Sequence, residues 1–587
     1  MSRHLRSGRR LRLAAGAGVL ATVAALAVVA MAFAAPNKGT QATAVRALEA
    51  GHKCLVMTGS GDPAFVRNFN PYTATSLPSG AFVRGAMYEP LIITTVAGGG
   101  HTYPWLAQSW TWSNGNKTLT LNIRQGVKWS DGQPLTAADV VYSLTAGKQN
   151  PAMDMIAYTA PDSNILSITQ KGQYQVVINL KTVDSTFIAV TLNRQFIVPK
   201  HIWSKVKDPS TFTNPHPVST GPFNQVAQFT SQVYVLGKNP GYWMAGAPKV
   251  PCVEYVQAAS NDAALALIDS GQVDWTHNFV PNAATAYDAK NPQYFHYFYP
   301  TNTFAQSLVF DDSAYPYSIP AFRKAVSLAI NREAVYKLGE YGYGPPADGV
   351  GLNGLYANWY TPALKKAAQA AAAYNPAGAK QLLTQAGFTY KGSTLLDPHG
   401  NPVSLDIHVI SGWSDWVASD QIIASDLRAI GINSQEVLEP DWNSWYPNAS
   451  TTKTPSLLWQ NEAAGSPFGY FNANLSKSQY TPPGQDATTT SNWAHFYDPA
   501  SQALLNSWRS SLDPAVQKAD FVKLGNLFLK DMPVVPIYLA PQWSTYSTKY
   551  FHGFSSPRNF YAQPIFTNAP DNSLQFTRIA PGGQVGP

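Results

Sequence analysis

Between Leu106 and Leu144 the sequence lays out a strand, a turn and a helix in immediate succession, and this stretch constrains the fold more than any other. Thr118–Ile123 is a strand-like run. A Gly-containing turn and a Pro134-Leu135 entry follow it. Thr136 then stands where a helix N-cap belongs, with Asp139 three residues on, the spacing of a capping box. Further along, Phe322, Ala325, Val326, Ala329 and Ile330 repeat as one buried face of a helix starting near Pro320. Ile423, Leu427 and Ile430 do the same, with Gly431 placed to end the helix. Strand-like runs recur at Gln175–Leu180, 233–236, 404–410 and 534–539. Strands and helices are mixed along the whole chain, so the class is α/β or α+β.

A chain of 587 residues exceeds what one core supports, so two or three domains are expected. Charged residues make up 13%, about half the usual ~25%. Trp 16, Tyr 30 and Phe 26 supply either core or a stacking surface for a ligand. No internal repeat is visible.

The start of the chain points to export. Arg3, Arg6, Arg9, Arg10 and Arg12 precede an apolar run over 13–33, and Ala32-Phe33-Ala34 has the small-residue spacing of a cleavage site before Ala35-Pro36. Residues 1–35 are therefore a signal peptide or an uncleaved N-terminal anchor, since the run is also long enough to span a bilayer. Residues 36–51 form a small, polar linker. Removing the five leading arginines from the net charge of +7 leaves +2, so nothing in the charge argues for nucleic acid. The two cysteines, Cys54 and Cys252, each sit in a strand-like run. In an exported protein they form one disulfide or remain a pair of thiols.

Residues 106–144 resemble a known family signature in order and spacing: Leu106-Ala107-Gln108-Ser109-Trp110, then the strand, then Arg124-Gln125-Gly126-Val127-Lys128-Trp129-Ser130-Asp131-Gly132-Gln133-Pro134-Leu135-Thr136-Ala137-Ala138-Asp139. The family is the family 5 extracellular solute-binding proteins of ABC importers. Ser219-Thr220-Gly221-Pro222-Phe223 and Lys238-Asn239-Pro240-Gly241-Tyr242-Trp243 are similar to its later elements. So are Ser270-Gly271-Gln272-Val273-Asp274, the 321–330 helix with Asn331-Arg332-Glu333, and Tyr374-Asn375-Pro376 with Ala386-Gly387-Phe388. Gln272 and Asn331 replace the usual Glu and Asp.

The resemblance implies an α/β, two-lobed, periplasmic-binding-protein-like type II fold with an extra subdomain inserted in lobe I. Lobe I then comprises residues 52–85, 216–300 and 540–587, the inserted subdomain Ib 86–215, and lobe II 301–539. On this mapping Cys54 and Cys252 fall on neighbouring strands, which favours the disulfide. The resemblance also implies an extracytoplasmic monomer that captures an oligopeptide or oligosaccharide and delivers it to membrane permease subunits.

Ser411-Gly412-Trp413-Ser414-Asp415-Trp416 is the leading candidate site, because it joins the C-terminal end of a strand to a helix, where α/β lobes bind ligands. Indoles stack on sugar rings or peptide side chains; a carboxylate accepts from hydroxyls or pairs with an ammonium. Trp442, Trp445, Phe468, Tyr470 and Trp493 are further candidates, several within a Gly/Ser/Asn-rich loop over 460–498. Trp275, just past an expected strand end, is a candidate from lobe I. The Gly-Trp-Ser-Asp-Trp pattern and Ser466-Pro467-Phe468-Gly469-Tyr470 look most like the oligosaccharide-binding branch, while Asp415 also suits a peptide amino terminus.

Catalytic and cofactor motifs do not appear: there is no GxSxG elbow, HExxH, Walker loop or GxGxxG after a strand. The eleven His are scattered, so no metal or other cofactor is expected. Two alternatives remain, an exported carbohydrate-active hydrolase and a non-transport sensor or chaperone on the same fold.

Overall fold

Leu55–Gly59 runs through the middle of a seven-stranded sheet and is buried along its whole length in the computed structural model. The structure describes residues 53–59, 61, 64–73, 83–95, 97, 100–160, 163–459, 466–485 and 492–582. The export segment 1–35, whether leader or anchor, and the linker 36–51 lie outside them. Among the described residues, no helix is long and apolar enough to cross a membrane.

Two parallel partners flank that central strand, Cys252–Val256 and Trp275–His277. Val233–Lys238 and Phe223–Phe229 extend the sheet on one side. Thr545–Ser547 and Phe295–Tyr297 extend it on the other. The sheet thus draws on residues near both ends of the described chain. Val56 N–H donates to the buried Asp274 carboxylate at 2.9 Å, fixing the crossover into Trp275–His277. Leu55 pairs with Val253, and the preceding Cys54 and Cys252 are disulfide-bonded, their Cα atoms 4.6 Å apart.

Between the first two strands of this sheet in sequence lies a separate four-stranded antiparallel sheet, ordered Ala107–Ser113, Thr118–Ile123, Gln175–Leu180, Ile165–Lys171. Leu119, Leu121 and Ile123 alternate inward along one strand and pack with Val140 and Leu144 of the Ala137–Thr145 helix. The capping box is formed: Ala138 N–H donates to Thr136 Oγ1, and Thr136 N–H to Asp139 Oδ2 at 2.9 Å. A cap of this kind contributes about 1 kcal/mol.

Glu89 joins the two units. Its buried carboxylate accepts from Trp105 Nε1 (2.7 Å), Tyr242 Oη (2.7 Å) and Thr220 Oγ1 (2.8 Å), and from Trp243 Nε1. The Arg124 guanidinium lies 4.2 Å over the Trp243 ring. This arrangement explains two sequence landmarks at once, because Thr220 and Tyr242-Trp243 converge on one carboxylate.

A second α/β lobe is built on Thr301–Val309, paired with Ser456–Trp459 on one side and Val535–Pro541 on the other. A short parallel pair, Ile407–Ile410 with Glu436–Glu439, lies beside it. The Pro320–Ala329 helix buries Phe322, Ala325, Val326 and Ala329 as its period requires, and also Arg323. That guanidinium donates to main-chain carbonyls of Met532 (2.9 Å), Tyr317 (2.5 Å) and Asp531, beside the Asp312 carboxylate. Arg332 likewise caps the carbonyls of Pro536, Ser327 and Ala372. Arg323 ties this helix to the turn before the final strand of the lobe, and Arg332 links the helix's Ser327 to that strand at Pro536. The molecule is therefore α/β and two-lobed, with the four-stranded unit inserted in the first lobe.

Candidate functional site

The Ile407–Ile410 strand ends in Ser411-Gly412-Trp413, and a helix, Ser414–Ala429, begins at once. Gly431, at φ +92°, stops the chain just beyond its far end, a left-handed position that suits glycine. Asp415 sits in the helix's first turn, where the helix dipole favours a carboxylate.

The first lobe meets this junction through Asn261, at the start of the Asn261–Asp269 helix. Its amide Nδ2 donates to Asp415 Oδ1 at 3.0 Å and to Ser414 Oγ at 3.2 Å, and its N–H donates to Gly412 O at 3.0 Å. Gly412 is required here: a Cβ would stand 2.3 Å from the Ala259 carbonyl oxygen. Gly61, from the loop after the first strand, packs on Trp413. A Cβ there would be 2.6 Å from Trp413 Nε1, and φ is +107°. Gly61 also presents its carbonyl to Trp442 N–H.

Trp413 is the hub of an aromatic wall. Trp416 (4.8 Å), Trp445 (5.5 Å) and Trp442 (6.2 Å) surround its ring. Trp442 stacks on Tyr446 at 4.4 Å, and Tyr446 meets Trp493 edge-on at 5.9 Å. The Trp442–Ala449 helix brings Trp442, Trp445 and Tyr446 together, and Asp441 caps it by accepting from Ser444 N–H at 2.9 Å. Trp445 Nε1 donates to His408 O, locking that ring to the Ile407–Ile410 strand.

Asp415 shares its buried surroundings with two other acids, Glu340 and Asp420. Burial pushes Asp415 up to about 6, against the opposing hydrogen bond from Asn261. Glu340 is raised further, by burial and by the Asp415 charge, and accepts from Ser419 Oγ at 2.9 Å. Asp420, fully buried, is raised by burial and by Glu436, Glu340 and Asp415. The Asp415 charge therefore adds to burial in disfavouring ionisation of Glu340 beside it. Among the described residues, no group of three or more His, Cys, Asp or Glu is arranged to hold a metal ion.

Of the residues expected at the site, Trp413, Asp415, Trp416, Trp442, Trp445 and Trp493 are brought together, although Trp445 is fully buried and supports the cluster from the core. Trp275 is not. It begins the strand Trp275–His277 rather than following one, and it is fully buried. Its Nε1 donates to Ser544 Oγ and Pro564 O, and its ring packs on Phe554 and Phe566, so it belongs to the first lobe's core. Tyr470 is also core. The expected loop forms a helix here, Phe468–Leu475, whose apolar residues turn Tyr470 onto Phe471 and Phe528. Phe468 packs against Trp508 and borders a separate cavity. Residues 460–465 and 486–491 of that stretch lie outside the described residues.

Asn261, Gly61 and Tyr446 were not expected. Tyr446 was within reach of sequence reasoning, since an aromatic four residues after Trp442 shares its helix face. Asn261 and Gly61 carry no local signal, because their partners are more than 150 and 300 residues away in sequence.

Residues 101–482 match the model of the bacterial extracellular solute-binding proteins, family 5, and the chain belongs to that family. The glutathione-binding protein GsiB of Salmonella typhimurium is 29% identical over 294 residues, covering 50% of this chain. The chain spans about half the length of that relative, 54%. The nickel-binding periplasmic protein of Escherichia coli K12 is 27% identical over 378 residues, 63% of this chain and 68% of that one. Among solved structures, the mannohexaose-bound periplasmic oligopeptide-binding protein of Thermotoga maritima superposes with a TM-score of 0.79 at 25% identity, covering 90% of this chain and 99% of that one.

Proposed function

We propose that this chain is the extracytoplasmic receptor of an ABC importer, which captures an oligopeptide or oligosaccharide between its lobes and presents it to membrane permease subunits. The observation that carries this reading is the meeting of Asn261 and Gly61 from one lobe with Asp415 and Trp413 from the other. A ligand held there contacts both lobes, and contacts from both sides favour the closed form. The indoles stack on a flat apolar face. Asp415 accepts from a ligand hydroxyl or ammonium, in competition with Asn261. A sugar ligand draws support from the partly exposed Trp413 and Trp416, backed by Trp442 and Trp445, and from the mannohexaose bound to the Thermotoga protein. The protein acts by binding and not by catalysis, and a separate ATPase supplies the energy.

The test is a thermal-shift and calorimetric screen of the purified chain against cello- and manno-oligosaccharides and short peptides, with product analysis of every incubation. Saturable binding with unchanged ligand supports the receptor. Turnover of a sugar would make it a hydrolase instead.

A further inference from the structure

The segment that follows the Gln175–Leu180 strand belongs to the inserted unit and reaches the second lobe. Phe187 is anchored in the inserted unit's own core, whereas Val190, three residues on, packs against the aromatic core of the second lobe. A turn closed by a side chain shapes the approach: the buried Asp184 accepts through Oδ1 from Thr186 N–H at 3.0 Å and from Thr186 Oγ1 at 2.8 Å. Ser185, between them, meets the second lobe.

Ser185 caps a helix that is not its own. The last carbonyls of an α-helix have no partners within it, and the second lobe's Pro499–Ser510 helix ends here. Ser185 N–H donates to Arg509 O at 2.8 Å, and Ser185 Oγ donates to Trp508 O at 3.5 Å. Gln517, on the next helix, Pro514–Asp531, bridges back. Its Nε2 donates to Ser185 Oγ at 3.2 Å and to Ser511 O at 2.9 Å. The Arg509 guanidinium also bears on Asp184, opposing the upward push that burial gives that carboxyl.

Beside these bonds lies a cavity of about 50 Å³, bounded by Ile156 and Phe187 of the inserted unit and by Phe468, Asn472 and Gln479 of the second lobe. One water takes about 10–15 Å³ on this scale, so the seam is filled less tightly than a permanent core. Its walls mix apolar with polar side chains, the make-up of contacts between domains that move.

The inserted unit is tied to the first lobe, because Trp105 of the one and Thr220 and Tyr242 of the other share the Glu89 carboxylate. Lobes that part must therefore break the bonds of Ser185. Those bonds involve no residue of the Asn261–Asp415 junction, and each runs from protein to protein, so they can form without solute.

We propose that Ser185, with Asp184 shaping its turn and Val190 packed beside it, is a clasp by which the inserted subdomain holds the second lobe in the closed form, and that it opens and re-forms in the solute-free chain. The proposal rests on the receptor reading and adds regulation to it. The clasp sets what fraction of the chain is closed, and so scales the affinity for every solute alike.

Pulsed electron paramagnetic resonance on the full chain carrying Leu166→Cys and Lys518→Cys, each with a nitroxide label, tests this. Both positions are exposed, Leu166 on the inserted sheet and Lys518 next to Gln517, and the two native cysteines are bonded to each other and take no label. No solute is added. A short and a long distance are expected. Ser185→Pro, which removes the N–H donor, should lower the short-to-long ratio roughly fivefold, the worth of one hydrogen bond. Gln517→Ala, which removes only side-chain bonds, should lower it less, and decides the matter if Ser185→Pro does not fold. A short distance that neither variant moves would make the seam a permanent contact and overturn the clasp. A long distance alone with Ser185 in place would overturn it too. Because no solute enters the measurement, either failure leaves the receptor reading standing, and that reading fails separately in the binding screen.

Discussion

Asn261 donates its side-chain amide to Asp415 Oδ1 across 3.0 Å, from the first turn of one helix to the first turn of another in the opposite lobe. Both helices point positive ends at the same spot, so the junction favours the ionised carboxylate that burial disfavours.

Asp415→Asn should stabilise the protein near neutral pH. The folded carboxyl holds its proton up to about 6, whereas in the unfolded chain it ionises near the ordinary value of about 3.9. Between those values the folded state binds more protons, so stability falls as pH rises from about 4 to 6, and the penalty persists above 6. It amounts to at most about 3 kcal/mol. Urea unfolding should show Asp415→Asn as the more stable protein at pH 7.5, with the difference gone near pH 4. Ligand affinity should fall in the same variant, since a neutral amide replaces the acceptor.

Trp413→Ala should weaken binding by about 1–3 kcal/mol, the scale of one aromatic stacking contact. Titration calorimetry reads this directly. An unchanged affinity with an intact fold would remove Trp413 from the ligand contacts.

Gly61→Ala should impair closure without disturbing either core. Its Cβ would collide with the Trp413 indole at a backbone angle that favours glycine. At least a tenfold loss of affinity is expected, together with a lower ligand-free melting temperature, because the strained backbone angle is present with or without ligand.

Replacing both Cys54 and Cys252 by Ser should lower stability by about 2–4 kcal/mol, because the bond closes a loop across 198 residues of sequence. Denaturant unfolding of the double variant, or of the native chain with reductant, should agree.

Glu89→Ala should be more damaging than any of these. It removes the acceptor of Trp105, Tyr242, Trp243 and Thr220 in a buried setting. Stranded donors cost about 1–3 kcal/mol each, so poor expression or loss of cooperative unfolding is the expected result.

Local patterns were the legible part of the fold. Thr136 and Asp139 announced their helix because a capping box is complete within four residues. Phe322, Ala325, Val326 and Ala329 announced theirs because burial follows the helical period. Arg323 sits on that buried face and was invisible as a core residue, since only carbonyls contributed by distant residues make a buried guanidinium tolerable. The candidate site divided along the same line. Trp413 and Asp415 were legible from a strand end meeting a helix start. Trp275 and Tyr470 were misassigned because an aromatic residue has the same composition signal in a core as in a cleft.

The central sheet of the first lobe has a consequence for biogenesis. Its outer strand, Phe295–Tyr297, is attached only through Thr545–Ser547. Residues through Ser547 must therefore be synthesised before that lobe has all its strands. Until then the first lobe lacks the strand that links Phe295–Tyr297 to its sheet.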